Sequence, residues 1–173
     1  ADDIRDFQIE GMSIGDSLLD YYNQKKINKF LKNDYGKNDF YKLEVSEQTL
    51  LNNLTTYDSV SFHVKNGDKK LRIYNIGGNI FFKKIKKCLK KKNEITEEIS
   101  SIFNLKFQTR ELTASFDKNT KYYQSEGSLG KSGVVAITCY DWSKDSEKKH
   151  GWTDNLSIDI YDQKLVEFIR NNS

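Results

Sequence analysis

Alternating hydrophobic and polar positions are clearest in the middle of the chain. Apolar and polar residues alternate over residues 59–64, and the pair Asn66-Gly67 follows. A period of two is typical of a strand with one buried face, and Asn-Gly is the strongest short signal of a hairpin turn. The pattern predicts a hairpin whose second strand covers residues 70–76. A further turn at residues 77–79 would lead into a third strand, giving an antiparallel meander.

Elsewhere the spacing alternates between helical and extended patterns. The clearest helix is predicted over residues 83–103, where apolar residues form one stripe over about five turns. Shorter helices are predicted within residues 14–22, 27–31, 47–54 and 165–169. Further strands are predicted at residues 7–10, 40–45, 112–117, 134–140 and 154–161. The polar stretches 118–131 and 143–151 are expected to be loops.

These elements together predict an α+β fold. It consists of an antiparallel sheet of about six strands, with the long helix 83–103 packed on one face and shorter N- and C-terminal helices alongside. A chain of 173 residues has the length of about one domain, and no repeat, linker or composition break divides it. We expect a single domain over residues 1–173.

Composition excludes several classes of protein. Ten Phe, ten Tyr and two Trp argue for a folded chain, since disordered chains are poor in aromatic residues. A net charge of +3 is too small to indicate nucleic acid as a partner. No apolar run is long enough for a transmembrane segment.

The two cysteines both fall on apolar positions, Cys88 of the long helix and Cys139 of a strand. They fit neither a Cys-x-x-Cys motif nor a metal-ligand spacing, so a disulfide between them is predicted. Two buried free thiols in a cytosolic protein are the alternative. A disulfide favours an oxidising compartment, and a chain starting at Ala1 is typical of a product of signal peptidase. The expected location is therefore periplasmic or secreted, with the signal peptide already removed.

The two histidines give no sign of a metal site. His63 lies on the polar side of its strand and His150 lies in a polar loop, so both are expected on the surface. Neither has partners at metal-ligand spacing. No metal and no cofactor is predicted.

An aromatic cluster is the most distinctive candidate site. Tyr140 and Trp142 precede the loop 143–151, and Trp152 and Asp154 follow it. Pairing of the flanking strands would bring these four side chains to one end of a hairpin. Aromatic faces beside carboxylates suit the binding of a sugar or a peptide. The alternative is that the indole rings cap the core at the sheet edge.

A run of lysines crowds the start of the long helix. Its members are Lys83, Lys84, Lys86, Lys87, Lys90, Lys91 and Lys92. Such a face can bind an anionic surface or a polyanion. A solvated helix face is the simpler interpretation, because three glutamates offset the charge further along.

One short motif resembles that of a known enzyme family. Residues 15–18, Gly-Asp-Ser-Leu, resemble the nucleophile block of GDSL esterases and lipases, which implies Ser17 as nucleophile, Asn38 as oxyanion donor and His150 as base. The context does not follow that family. The preceding strand is short, the Asn block comes too early, and the predicted meander is antiparallel.

A broader resemblance covers most of the chain. Residues 9–19, 139–143 and 152–156 resemble segments of uncharacterised exported proteins of marine alphaproteobacteria. Residues 11–18 also resemble the start of small periplasmic modules of envelope lipoproteins. The first resemblance supports export and the paired cysteines and implies no activity. The leading hypothesis is a non-enzymatic, exported or envelope-associated binding module.

Overall fold

In the computed structural model the chain is described over residues 3–34, 39–46 and 54–172. These residues contain one antiparallel sheet of eight strands in the order β1-β2-β3-β4-β8-β7-β6-β5. The strands are β1 Lys32–Asp34, β2 Phe40–Ser46, β3 Ser59–Lys65, β4 Ile73–Phe81, β5 Phe107–Ala114, β6 Asp117–Ser128, β7 Gly133–Asp141 and β8 Asn155–Asp162. Apart from the three-residue edge strand β1, each has seven residues or more. The predicted α+β class is confirmed, with more strands than the six expected.

Four α-helices accompany the sheet in the described residues. They are α1 Gln24–Phe30, α2 Ile85–Phe103, α3 Lys144–His150 and α4 Gln163–Asn172. Helix α2 connects β4 to β5 and packs on β7 and β8, as the apolar stripe predicts. No helix among them combines the length and the apolar character needed to cross a membrane.

The topology consists of two four-stranded meanders joined side by side. β1–β4 form the first and β5–β8 form the second, and the two meet where β4 pairs with β8. In this pairing Gly77 lies opposite Asp159. Because side chains alternate along each strand, residues two apart share a face.

One face of the sheet forms the main hydrophobic core. Its buried side chains include Phe62 of β3, Ile76 of β4 and Leu156 of β8. The predicted Cys88–Cys139 pair lies in this core, with the sulfur atoms at disulfide-bonding distance and the Cα atoms 6.0 Å apart. The pair links α2 to β7.

The other face of the central strands is polar. It carries buried serine, histidine, asparagine and aspartate side chains: Ser59, Ser61, His63, Asn75, Ser157 and Asp159. Helix α4 packs beside these residues, with its Phe168 ring 5.0 Å from the ring of Phe40. Phe40 lies two and four positions from Lys42 and Glu44, so α4 bounds the polar face at one end.

Two of the N-terminal predictions were wrong, whereas the helix expected within residues 27–31 is confirmed as α1. Residues 7–10 form no strand, and Ile9 instead pairs with Met12 across a tight turn in which Glu10 and Gly11 have φ values of 51° and 78°. The helix expected within residues 14–22 is reduced to a three-residue 3-10 turn, Leu18–Asp20. A longer helix does not form here, and the backbone amide of Leu18 instead donates a hydrogen bond to the carbonyl oxygen of Leu71.

The turn predicted at residues 77–79 was also wrong, since β4 runs straight through it. Gly77 and Gly78 serve close packing. A Cβ atom on Gly77 would collide with the Asp159 carboxylate, and one on Gly78 would lie 2.5 Å from the Tyr57 ring. Glycine inside a strand often marks such a close approach.

Three further boundaries differ in the second half. Most of the expected loop 118–131 is the long strand β6. Of the strand expected at 112–117, residues 112–114 end β5 and Asp117 begins β6, with the turn between them. The expected loop 143–151 contains α3, because the Ser143 side chain accepts a hydrogen bond from the Ser146 amide as an N-cap. Of the helix expected at 47–54, residues 47–53 lie outside the described residues.

Candidate ligand-binding cleft

A cleft of about 670 Å³ lies over the polar face of the sheet. Side chains from β2, β3, β4, β7 and β8 line it, together with the segment that follows α3. The small side chains of the central strands form its floor, and aromatic rings form one end. These side chains share one face of the sheet, because the strand register places their residues directly opposite one another on neighbouring strands.

The floor is a connected polar network. The His63 Nδ1 and Asn75 Oδ1 atoms are 2.9 Å apart, and the Asn75 amide donates to the Ile160 carbonyl oxygen at 3.0 Å. The Ser157 hydroxyl donates to Asp159 Oδ2 at 2.5 Å. These hydrogen bonds join side chains and backbone of β3, β4 and β8 across the floor.

Asp159 is the ionisable group most deeply placed in this floor. Its side chain is only 8% exposed. Burial raises its carboxyl pKa above the ordinary value, while hydrogen bonds from Ser157 and Asn75 and the charges of His63 and Lys42 act in the opposite direction. The burial effect is the larger, so the folded protein holds a proton on this group more readily than the unfolded chain does.

Amide side chains form the middle of the cleft. The Asn155 amide donates to Asn79 Oδ1 at 3.3 Å, and the Asn79 amide donates to the Ser59 hydroxyl at 3.2 Å. An amide offers two N–H donors and an acceptor oxygen, and a hydroxyl offers both functions. This part of the cleft can therefore exchange hydrogen bonds of either direction with a ligand.

Stacked aromatic rings form one end of the cleft. Tyr140 and Trp142 stack with ring centroids 5.4 Å apart at 11°, and Trp142 and Trp152 follow at 4.5 Å. Trp152 also stacks with His150, with ring centroids 4.2 Å apart. Trp152 is 39% exposed, and Phe81, which also lines the cleft, is 52% exposed. These rings give the cleft a broad apolar wall beside its polar floor.

The structure brings the four side chains predicted for ligand binding to this end, in two roles. Tyr140, Trp142 and Trp152 line the cleft. Asp154 supports the wall, since its Oδ1 atom accepts the backbone amide of Trp142 at 2.9 Å. Burial is the main reason why the pKa of Asp154 is raised.

The floor residues were missed by sequence reasoning, and the expectation for His63 was wrong. His63 was expected on the solvated surface but is only 6% exposed, in contact with Asn75. An alternating pattern marks which residues share a face, and it does not distinguish open solvent from a cleft. The other histidine, His150, is exposed as expected.

The residues of the esterase hypothesis are not brought together. The Ser17 hydroxyl donates to the Lys70 carbonyl oxygen at 2.5 Å, close to the start of β4. His150 stacks on Trp152, beyond the opposite end of that strand. A nine-residue strand separates the two by roughly 25–30 Å. Asn38 lies outside the described residues.

Six of the seven lysines in the predicted basic face are exposed, and one is buried. Lys83, Lys84, Lys86, Lys87, Lys90 and Lys91 are exposed. Lys92 is buried against the sheet, where its Nζ atom donates to the Ser125 hydroxyl at 2.8 Å, and burial lowers its pKa. Helical geometry turns position 92 towards the core, which corrects its assignment to the surface.

The described residues contain no group of three or more His, Cys, Asp or Glu side chains arranged to hold a metal ion. Comparison of the chain with protein-family models, with curated proteins and with solved structures found no match.

Proposed function

We propose that the protein is a binding module that holds a small saccharide-like ligand in the cleft. The observation that carries the proposal is the joining of an aromatic wall and a row of amide and hydroxyl side chains in one cleft of about 670 Å³. Small-molecule sites typically have volumes of roughly 300–1,000 Å³, with apolar area for contact and a few polar groups for orientation.

A saccharide ring matches both parts of this lining. Its apolar C–H face can stack on an aromatic ring such as Trp152, which exposes part of its surface to the cleft. Its hydroxyl groups each donate and accept, and Asn79 and Asn155 offer both kinds of partner. An extended peptide is the alternative ligand, and the experiment below separates the two.

Export is part of the same proposal. The Cys88–Cys139 pair supports an oxidising compartment, since disulfides persist there and are rare in the cytosol. The resemblance to exported proteins agrees with this location.

Tryptophan fluorescence tests the proposal directly. The chain contains two Trp, and both belong to the aromatic wall, so a ligand in the cleft alters the signal without a label. We expect titration with cello- and chito-oligosaccharides to give a saturable change. Trp152→Ala should weaken binding, measured by calorimetry, by about tenfold, or about 1.4 kcal/mol.

The matched control is Ile102→Ala, which removes an exposed apolar side chain on α2, away from the cleft. It should leave the affinity unchanged. Absence of a response to every saccharide contradicts the proposal, and a response to peptides alone supports the peptide hypothesis instead.

The two other hypotheses have less support. The Ser17 hydroxyl is bonded to a backbone carbonyl and lies far from His150, so no nucleophile–base pair supports esterase activity. Binding of an anionic surface through the six exposed lysines stays a hypothesis. Glu94 lies 4.0 Å from Lys90 and 3.9 Å from Lys91, which partly offsets that positive charge.

A further inference from the structure

The cleft has a second recognition element at the end remote from the tryptophans. Asn155 at the aromatic end and Asp159 are four residues apart on β8 and share the polar face. Their Cα atoms are therefore about 13 Å apart. A ligand that stacks on the aromatic wall and fills the cleft extends to the Asp159 carboxyl group.

Gly77 makes room for this carboxyl group. It lies directly opposite Asp159 in the strand pair, and any side chain at this position would occupy the space of the carboxylate. The Ser61 hydroxyl lies 3.0 Å from the same point. The carboxyl group is thus held by the fold on the floor of the cleft rather than turned away from it.

Both neutral and positively charged side chains surround Asp159. Ser157 and Asn75 donate hydrogen bonds to it, and the charges of His63 and Lys42 favour its ionised form. A buried carboxylate is costly unless it is paired with a cation. Burial still raises the carboxyl pKa of Asp159 despite the charges of His63 and Lys42.

We infer that the ligand carries a protonated amine that binds Asp159, so that the ligand is a saccharide with a free amino group. This inference rests on the proposed function and specifies its ligand class. An ammonium group has three N–H donors and a positive charge, and both properties suit a carboxyl group that lines the cleft.

Three β-1,4-linked oligosaccharide series test the inference, because they differ only at C2 of each ring. Cello-oligosaccharides carry a hydroxyl there, chitin oligosaccharides an acetamide, and chitosan oligosaccharides an ammonium group. Isothermal titration calorimetry should show the chitosan series binding at least about tenfold more tightly than the other two, as expected for a charge-assisted hydrogen bond in a cleft.

Asp159→Asn should abolish the preference for chitosan oligosaccharides while leaving cello-oligosaccharide affinity within about threefold. Glu97→Gln is the matched control, because it removes an exposed carboxylate on α2, away from the cleft, and should keep the preference. The three series are compared on the unaltered protein, so the inference is testable even if Asp159→Asn fails to fold.

The outcomes separate the two proposals. Equal affinity for the three series, or a preference that survives Asp159→Asn, overturns the amine inference and leaves saccharide binding intact. Failure of all three series to bind overturns the proposed function as well.

Discussion

The two faces of strands β3, β4 and β8 are both buried, but by different means. On one face Phe62, Ile76 and Leu156 are covered by other apolar side chains, including those of α2. On the other, His63 and Asn75 are almost as inaccessible, at 6% and 1% exposure, and they border a cleft. Burial on the first face is produced by hydrophobic packing, and on the second by crowding among hydrogen-bonded groups.

This difference assigns separate tasks to the two faces. Apolar packing and the Cys88–Cys139 link stabilise the first face and depend little on pH. The second face contains Asp159, whose raised carboxyl pKa makes it costly to ionise. Because the buried Asp159 carboxyl group does not stabilise the polar face in its ionised form, we expect most of the stability of the fold to come from the apolar face.

The largest expected effect tests the source of that stability. Cys88→Ala combined with Cys139→Ala should lower the free energy of unfolding by roughly 4 kcal/mol, because the disulfide closes a loop of 51 residues. Urea denaturation measures the change, and intact mass after alkylation with and without reduction verifies the bridge. Ligand affinity of the folded double variant should remain unchanged. A loss below about 1 kcal/mol would contradict the stabilising role assigned to this link.

Gly77 and Gly78 are neighbours in β4, so substituting each in turn compares the two faces at one place in the sheet. Gly78→Ala directs a methyl group into the Tyr57 ring on the apolar face, and Gly77→Ala directs one into the Asp159 carboxylate on the polar face. Each should destabilise the protein by about 1–3 kcal/mol through overpacking. Thermal denaturation checks this effect.

Ligand affinity is the readout that distinguishes these glycine variants. Gly77→Ala should weaken binding of chitosan oligosaccharides, since it displaces the carboxylate, whereas Gly78→Ala should not. Equal affinities for the two variants would mean that the position of Asp159 does not matter for the site.

Strands were predictable from sequence wherever one face is apolar. The alternation over residues 59–64 predicts β3 because its apolar side chains enter the core. The strand β6 was missed because its inward side is also polar, including Ser125, which accepts a hydrogen bond from buried Lys92. Periodicity carries no strand signal when both sides are polar.

Only half of the candidate site could be predicted. Trp142 and Trp152 flank a short segment, so their proximity followed from the pairing of two recognisable strands. The floor was missed because it brings together β4 and β8, which are distant in sequence. A usable signal did exist. The polar side of β3 carries Ser59, Ser61 and His63, whereas a solvated strand such as β5 carries charged residues, Arg110 and Glu111.

A smaller effect should come from Glu10, which anchors a segment beside the apolar face. Its carboxylate accepts backbone amides of Thr55, Thr56 and Tyr57 at 2.7–3.1 Å. Burial raises its pKa, but these hydrogen bonds outweigh burial, so the pKa is lowered from the ordinary value of 4.5. Glu10→Gln should cost about 0.5–1 kcal/mol at pH 7, because solvent screening reduces the contribution of this partly exposed carboxylate.

The pH dependence follows from that direction. Because the folded-state pKa lies below the unfolded one, the stabilisation by Glu10 is present above the unfolded value and is lost as pH falls through the folded value. Urea midpoints of wild type and Glu10→Gln should therefore converge in acid. A difference that persists unchanged at pH 2 would contradict the charge-based explanation.

The smallest expected effect has the opposite sign and belongs to the polar face. The carboxyl pKa of Asp159 is raised from 3.8, mainly by burial, so its contribution to stability is greatest below the unfolded value and declines as pH rises through the folded one. Asp159→Asn keeps the hydrogen-bonding shape without the charge. Its urea midpoint should exceed that of wild type at pH 7, and the two should approach each other near pH 3. A variant that is less stable at pH 7 would show that Asp159 already has its charge partner within the fold. Greater stability together with loss of the amine preference would show that Asp159 lowers the stability of the fold while contributing to ligand binding.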